Sequence, residues 1–217
     1  MFDVQFARRQ MIEQQVRAWE VLDLKVLEAL ERVPREEFVP ATYRELAFAD
    51  TSVPIGHGQT MLPPKVEGRI LQALDLQPGD HVLEVGTGTG FFAACIGQLA
   101  RSVRTVDIHA DFVTAAAGAW RRVGAHNATA DVYDAMLLAE RDTYDAIALT
   151  ASLPVYDARF ERALKVGGRL FVTVGTGPLL EARRITRVGA DEWLRESLFE
   201  TSMPPLIHAP EPPRFVF

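Results

Sequence analysis

Between residues 66 and 171, apolar positions fall into short runs separated by stretches with helical spacing. The runs are His81–Val85, 103–107, Ala128–Val132, 144–150 and 169–174, and runs of this kind read as strands. Between them lie helix-like stretches at 91–100, 111–123, a short 135–140, and 157–164. Alternation of this kind predicts an α/β fold: a doubly wound, Rossmann-like, mostly parallel sheet with helices on both faces. Gly167-Gly168 is expected to end the last helix through a left-handed cap. Beyond it, segments 183–188 and 193–198 flank Gly189-Ala190-Asp191 and predict an antiparallel hairpin closing the sheet.

Upstream the pattern changes. Met11, Ile12, Gln15, Val16 and Trp19 recur at helical spacing, with the Met and Trp expected in the core. Asp23 is placed to cap a second helix carrying a Leu24, Leu27, Leu30 stripe, and Pro34 and Pro40 bracket an irregular stretch. Segment 1–60 thus reads as a helical cap, 61–180 as the core, and 181–217 as the hairpin and a tail. The tail holds five prolines from Pro204 to Pro213 and is expected to run extended along the surface.

Composition narrows the function classes. A chain of 217 residues with 48% hydrophobic content suits one domain with a sizeable core. Net charge of −6 argues against a general electrostatic grip on nucleic acid. Cys95, alone in the chain and at an apolar helix start, reads as a small buried hydrophobe, and no internal disulfide is possible. Neither a signal-peptide pattern nor an apolar run near ~18 residues stands out, so a cytoplasmic protein without a membrane partner is expected. The five histidines are scattered without ligand spacing, and no metal site is expected.

The most informative stretch is His81 to Gly97. A valine-rich run meets Glu84, then Gly86, Thr87, Gly88, Thr89 and Gly90, then apolar helix formers. A buried strand, tight glycine turn and helix start let backbone approach a nucleotide-like ligand. Asp107 follows 21 residues after Gly86, at the end of the next apolar run, where a carboxylate can accept from both ribose hydroxyls. Dinucleotide sites carry G-x-G-x-x-G, whereas Phe91 follows Gly90 here. The E-x-G-x-G-x-G pattern resembles motif I of class I S-adenosylmethionine-dependent methyltransferases, whose ligand carries a cationic sulfonium and an ammonium suited to nearby carboxylates. Hydride transfer by a Tyr-x-x-x-Lys pair is disfavoured, since Phe160 stands four places after Tyr156.

A second segment sharpens the likeness. Pro54-Ile55-Gly56-His57-Gly58-Gln59-Thr60-Met61-Leu62-Pro63-Pro64, upstream of the glycine motif, resembles the P-I-G-x-G-Q-T-I-S-x-P stretch of the protein-L-isoaspartate O-methyltransferase family. The likeness extends from Met11-Ile12-Glu13-Gln14-Gln15 and Val33-Pro34-Arg35-Glu36-Glu37-Phe38-Val39-Pro40 into the sheet. It implies an S-adenosylmethionine cofactor and a peptide or protein substrate bearing isoaspartyl residues. Glu84, Gly86, Thr87, Gly88 and Gly90 match the loop around the methionine part. Asp107 and Ile108 match the ribose-binding position. Asp134 matches the adenine-side acid, although Tyr133 and Ala135 stand where the family has glycines. Thr60, Met61 and Leu62 match the loop closing over the cofactor, and His57 and Gln59 the substrate-facing loop. Ser152, in Thr150-Ala151-Ser152, matches the segment beside the transferred methyl group. The family's active-site serine is Leu62 here, so Thr60 or Ser152 becomes the candidate donor for the acceptor carboxylate, with Thr60 the catalytic candidate.

The implied reaction is an in-line attack by a carboxylate oxygen on the sulfonium methyl. That carboxylate is already ionised at pH 7, since free carboxyls titrate near about 4, so no general base is required. Methylation of an isoaspartyl group would then open protein repair. Leu62, Tyr133 and Ala135 support a second reading, a diverged relative acting on another carboxylate or a small molecule. A third is a protein that binds the cofactor without turnover. Base methylation is disfavoured: Ala151-Ser152-Leu153-Pro154 stands where an Asn/Asp-Pro-Pro-Tyr/Phe motif belongs, and Cys95 is in no Pro-Cys loop. Oligomeric state is not legible.

Overall fold

The computed structural model describes residues 3–213. Six α-helices occur among them: α1 (Val4–Met11), α2 (Leu24–Arg32), α3 (Pro64–Leu74), α4 (Phe91–Leu99), α5 (Ala110–Val123) and α6 (Arg159–Arg162). The strands are β1 (Val53–Gly56), β2 (Gln59–Met61), β3 (His81–Val85), β4 (Ser102–Asp107), β5 (Ala128–Val132), β6 (Tyr144–Leu153), β7 (Leu164–Val174), β8 (Leu180–Gly189) and β9 (Glu192–Thr201). Seven of them form one sheet in the order β5-β4-β3-β6-β7-β8-β9. Pairing is parallel from β5 to β7, and β8 and β9 close the sheet antiparallel. This is the α/β sheet with a C-terminal hairpin that the run pattern predicts. No helix among the described residues is long and apolar enough to cross a membrane.

Continuous apolar runs make the central strands because both sheet faces are covered. One face packs Val82, Ala146, Ala148 and Phe171 against α3, α4 and the N-terminal helices; the other buries Leu83, Val85, Ile147, Leu149 and Phe160. The chain winds outward from β3 through β4 to β5, then returns to the far side of β3 with β6. Strand order reverses at β3, and the crevice at the carboxyl ends there is where open α/β sheets take ligands.

Several expectations are corrected. Gly167 and Gly168 do not cap a helix: α6 stops at Arg162, and both glycines lie inside β7. There the ladder with β6 jumps from Tyr144↔Leu164 to Ala146↔Arg169, a bulge. Leu24 is the first residue of α2 and is 70% exposed; Val26, Leu27, Ala29 and Leu30 form the buried face. Asp23 does cap that helix, accepting from the Lys25 amide at 2.9 Å. The first helix relaxes into a π-helical turn over Ile12–Val16 and a 3-10 turn over Arg17–Trp19. Trp19 therefore emerges half-exposed, with Lys65 Nζ 4.1 Å above its ring. The segment before the sheet is ordered as the β1–β2 hairpin, Val53 pairing with Met61, followed by α3.

Candidate active site

The glycine turn is built by close approach. Gly86 has φ 101°, and a Cβ there would fall 2.3 Å from Thr150 Oγ1, which donates to the Val85 carbonyl at 2.9 Å. At Gly90, with φ 83°, a Cβ would meet Ala116 Cβ at 2.7 Å and Trp120 Nε1 at 2.9 Å. The same indole N–H donates to the Gly90 carbonyl at 2.8 Å. The turn is thus pinned to β6 on one side and α5 on the other, and both glycines need a conformation that L side chains rarely adopt.

Over this turn opens a concave pocket lined by both the sheet and the β1–β2 hairpin. Its lining includes Glu84, Gly86, Thr87, Gly88, Asp107, Ile108 and Asp134, with Gln59, Thr60, Met61 and Leu62 contributed by the β1–β2 hairpin and the residue after it. Gly90 is not part of the lining and acts through the turn's packing. Asp107 ends β4; its Oδ2 accepts from the Gly88 amide at 3.2 Å and its Oδ1 from the His109 amide at 3.0 Å. Asp134 caps the short turn after β5, accepting from the Met136 amide at 2.9 Å, while its Oδ2 lies 2.8 Å from His208 Nδ1. Helix cap and pocket wall are therefore one residue. Glu84 is fully buried, and among its neighbours the Thr105 hydroxyl is the side chain that favours its charge. Burial raises its carboxyl well above the ordinary range. A buried acid in the pocket lining fits a ligand carrying positive charge.

Two candidates fall elsewhere. His57 sits at the hairpin tip with φ 52°, outside the lining, stacked on His109 with centroids 3.9 Å apart. Its Nε2 is 2.9 Å from Asp111 Oδ2, and that hydrogen bond holds the Asp111 carboxyl below its usual value. Donor atoms of His57, His109 and Asp111 lie within 4.8 Å of one another, a convergence that sequence spacing did not reveal. The two rings are nearly parallel, at 9°, so their nitrogens do not aim at one ion and no metal site is assigned.

Ser152 is not brought to the pocket at all. It is 2% exposed, its hydroxyl donates to the Met203 carbonyl at 3.1 Å, and its amide and carbonyl bond Pro204 and Leu206. The tail, expected along the surface, instead lays Pro205, Leu206 and Ile207 against the cavity beside β6. Ser152→Ala is accordingly expected to lower stability by about 1–2 kcal/mol through the orphaned Met203 carbonyl, with peptide KM unchanged. A tenfold rise in KM at normal stability would restore the substrate role.

Sequence reasoning passed over Arg35 and Glu67. Arg35 is 1% exposed; it pairs with Glu67 Oε2 and donates to the Ala47 carbonyl at 2.9 Å and the Leu62 carbonyl at 2.7 Å. Its guanidinium carbon lies 4.7 Å from the Phe91 ring centroid. Glu67, also a lining residue, stands among Val66, Ile70 and Leu71 on the buried face of α3. An acid on an apolar helix face was the available signal. Burial pushes its carboxyl up to about 7 despite the opposing pull of Arg35. Cys95 is buried nearby with its thiol raised by burial, in keeping with an inert core residue.

Comparison with known proteins places the site in context. Residues 7–208 match the family model of protein-L-isoaspartate(D-aspartate) O-methyltransferase (PCMT). A protein-L-isoaspartate O-methyltransferase of Koribacter versatilis is 37% identical over 201 residues, covering 92% of this chain and 90% of its own. One from Rhodopseudomonas palustris is 37% identical over 209 residues, covering 93% and 96%. Among solved structures, a beta-aspartate methyltransferase (PCMT) from Plasmodium falciparum in complex with S-adenosyl-L-homocysteine superposes with a TM-score of 0.80. That match covers 92% of this chain and 97% of the other at 19% identity, and it carries the fold. With the glycine turn, the acid ending β4 and the hairpin wall arranged around one crevice, and relatives matched along nearly their full length, the chain belongs to the protein-L-isoaspartate(D-aspartate) O-methyltransferase family.

Proposed function

We propose that this chain, an S-adenosylmethionine-dependent O-methyltransferase by family, methylates isoaspartyl carboxylates of peptides and proteins as a repair step. The observation that carries the reading is a shared cavity: the turn at Gly86 to Thr89 faces Gln59, Thr60 and Leu62 across it. A cofactor loop and an acceptor-side strand thus border one space.

The residues present fit the cofactor. Glu84 places a buried carboxyl in the pocket lining beside the glycine turn, and a Cβ at Gly86 would crowd that turn. Gly86, Thr87 and Gly88 would hold the methionine part with Glu84, Asp107 and Ile108 the ribose, and Asp134 the adenine side. Bound there, the cofactor supplies an electrophilic methyl group on a cationic sulfur. The chain's own part is alignment and exclusion of water. A carboxylate acceptor arrives ionised, so no residue has to remove a proton from it. Thr150 has its hydroxyl on the Val85 carbonyl, which leaves half-buried Thr60 as the hydroxyl on the hairpin wall able to orient the acceptor.

Leu62 supports a second reading, an acceptor less polar than an isoaspartyl group. Its side chain lines the cavity yet is 6% exposed, packed in the main core. The deciding assay is methyl transfer from labelled S-adenosylmethionine to an isoaspartyl peptide and its aspartyl twin. Selective labelling of the first is expected. No label on either peptide, with cofactor binding intact, turns the assignment to another acceptor. Leu62→Ser is expected to cost about 2–4 kcal/mol of stability through the cavity it leaves. Per folded molecule it should raise isoaspartyl methylation; a fall would mark the pocket as retuned.

A further inference from the structure

We infer that His57 is a positioning residue of the methyl-transfer site: from outside the cavity it fastens the tip of the β1–β2 hairpin to the start of α5. In that way it holds the acceptor-side wall closed over the space where the cofactor binds. The inference rests on the cofactor and reaction proposed above.

The hairpin is anchored differently at its two ends. Its base is set in the core: Val53 is fully buried, Met61 and Leu62 are nearly so, and Arg35 donates to the Leu62 carbonyl at 2.7 Å. Its first strand passes over the glycine turn, where a Cβ on Gly88 would come within 3.3 Å of Ile55 Cδ1. Ile55, Gln59 and Thr60 line the cavity from this side and are only half-buried. At the tip, between the paired Gly56 and Gln59, His57 and Gly58 both have positive φ, 52° and 70°. That is the pattern of a type I′ turn, in which glycine would be free of the backbone cost that histidine carries.

The contacts of that side chain all go to one place. The imidazole stacks on His109 with centroids 3.9 Å apart, meets the Phe112 ring in a T-shaped contact at 5.2 Å, and sets Nε2 2.9 Å from Asp111 Oδ2. Among the described residues, no other side chain from Pro54 to Thr60 makes a hydrogen bond. His109 and Phe112 are themselves lining residues, and the His109 amide donates to Asp107 Oδ1 at 3.0 Å. The tip therefore rests on the backbone that positions the ribose-side acid. The His57 and Asp111 side chains are 42% and 65% exposed, so this is a surface latch, weak enough to open. Gly56 and Gly58, at φ 108° and 70°, give the tip the backbone freedom to swing when it does. Closed, the hairpin keeps Gln59 and Thr60 facing the glycine turn and keeps water from the reacting groups. Open, it widens the mouth through which a bound ligand leaves.

Release of labelled S-adenosylmethionine, chased with unlabelled ligand and with no peptide present, times the opening without any turnover. His57→Ala removes both ring and hydrogen bond. Relative to wild type, it is expected to quicken release about tenfold and raise peptide KM about as much, with kcat within about twofold and the melting temperature unchanged. His57→Phe keeps a ring over His109 but offers Asp111 no donor, and Asp111→Ala removes the same bond from the other side. Each is expected to quicken release about threefold, and the double variant no further. Wild-type release in every variant overturns the inference. So does a raised KM with wild-type release, which makes His57 a direct peptide contact. Should His57→Ala lower the melting temperature, Asp111→Ala decides, since it leaves the hairpin's own sequence intact: faster release upholds the latch and wild-type release removes it. Failure of the wild-type protein to bind S-adenosylmethionine overturns the cofactor reading and the latch with it. Binding without methylation of an isoaspartyl peptide overturns only the acceptor assignment, and the release rates still decide the latch.

Discussion

Arg35→Ala is expected to destabilise the fold by about 3–5 kcal/mol, the loss typical of a buried ion pair deprived of one partner. The guanidinium is 1% exposed and joins four parts of the molecule: Glu67 on α3, the Ala47 and Leu62 carbonyls, and the face of Phe91 on α4. Alanine leaves a buried carboxyl without its cation and removes the donor from two carbonyls. The deficit should also depend on pH. A carboxyl whose folded value exceeds its unfolded value near 4.5 weakens the fold as pH rises between the two, since the folded state holds a proton the unfolded state has lost. With Arg35 present that interval closes at about 7. Without it, burial acts unopposed and the interval extends upward, so the gap between variant and wild type widens from pH 7 to about 9. Urea unfolding at three pH values measures both effects. A loss below about 1 kcal/mol, or a gap constant with pH, would show the pair to be dispensable.

What the sequence disclosed and what it withheld divides by range. Strands β3 to β6 and the turn at Gly86 to Gly90 are legible because apolar runs and glycine spacing are local signals of elements buried on both faces. Asp107 follows from the same logic, an acid at the end of a strand beside that turn. Legibility stopped where a distant partner decides the outcome. Glu67 and Arg35 stand 32 positions apart, and nothing local distinguishes them from surface charges until the chain folds them together. Ser152 reads as a site hydroxyl until Met203, 51 positions on, takes its hydrogen bond and the tail completes the wall. His57 reads as part of a substrate-facing loop, but its stack on His109 depends on the hairpin folding against the start of α5. Gly167-Gly168 misled for a related reason. A glycine pair after an apolar stretch serves a helix cap and a strand bulge equally well, and only pairing with β6 selects the bulge.

Asp107→Ala is expected to weaken S-adenosylmethionine binding about 10- to 100-fold, or about 1.5–3 kcal/mol, the range for losing charge-assisted bonds. The structure gives the carboxylate two separable tasks. It lines the cavity at the end of β4, where two ribose hydroxyls would meet it, and it ties the Gly88 and His109 amides together across the mouth. Loss of those tethers alone loosens the turn and should cost the empty protein no more than about 1–2 kcal/mol of stability. Comparing calorimetric affinity with thermal unfolding of the empty variant distinguishes the tasks. An affinity loss well beyond the stability loss assigns Asp107 to the ligand. Matched losses would make it a loop tether whose effect on binding is indirect, and unchanged affinity would refute the ribose role. The ligand itself offers the sharper control. A nucleoside lacking the 2′- and 3′-hydroxyls should bind the wild type and Asp107→Ala alike if the carboxylate reads the ribose. It should still discriminate between them if Asp107 only holds the Gly88 amide in place.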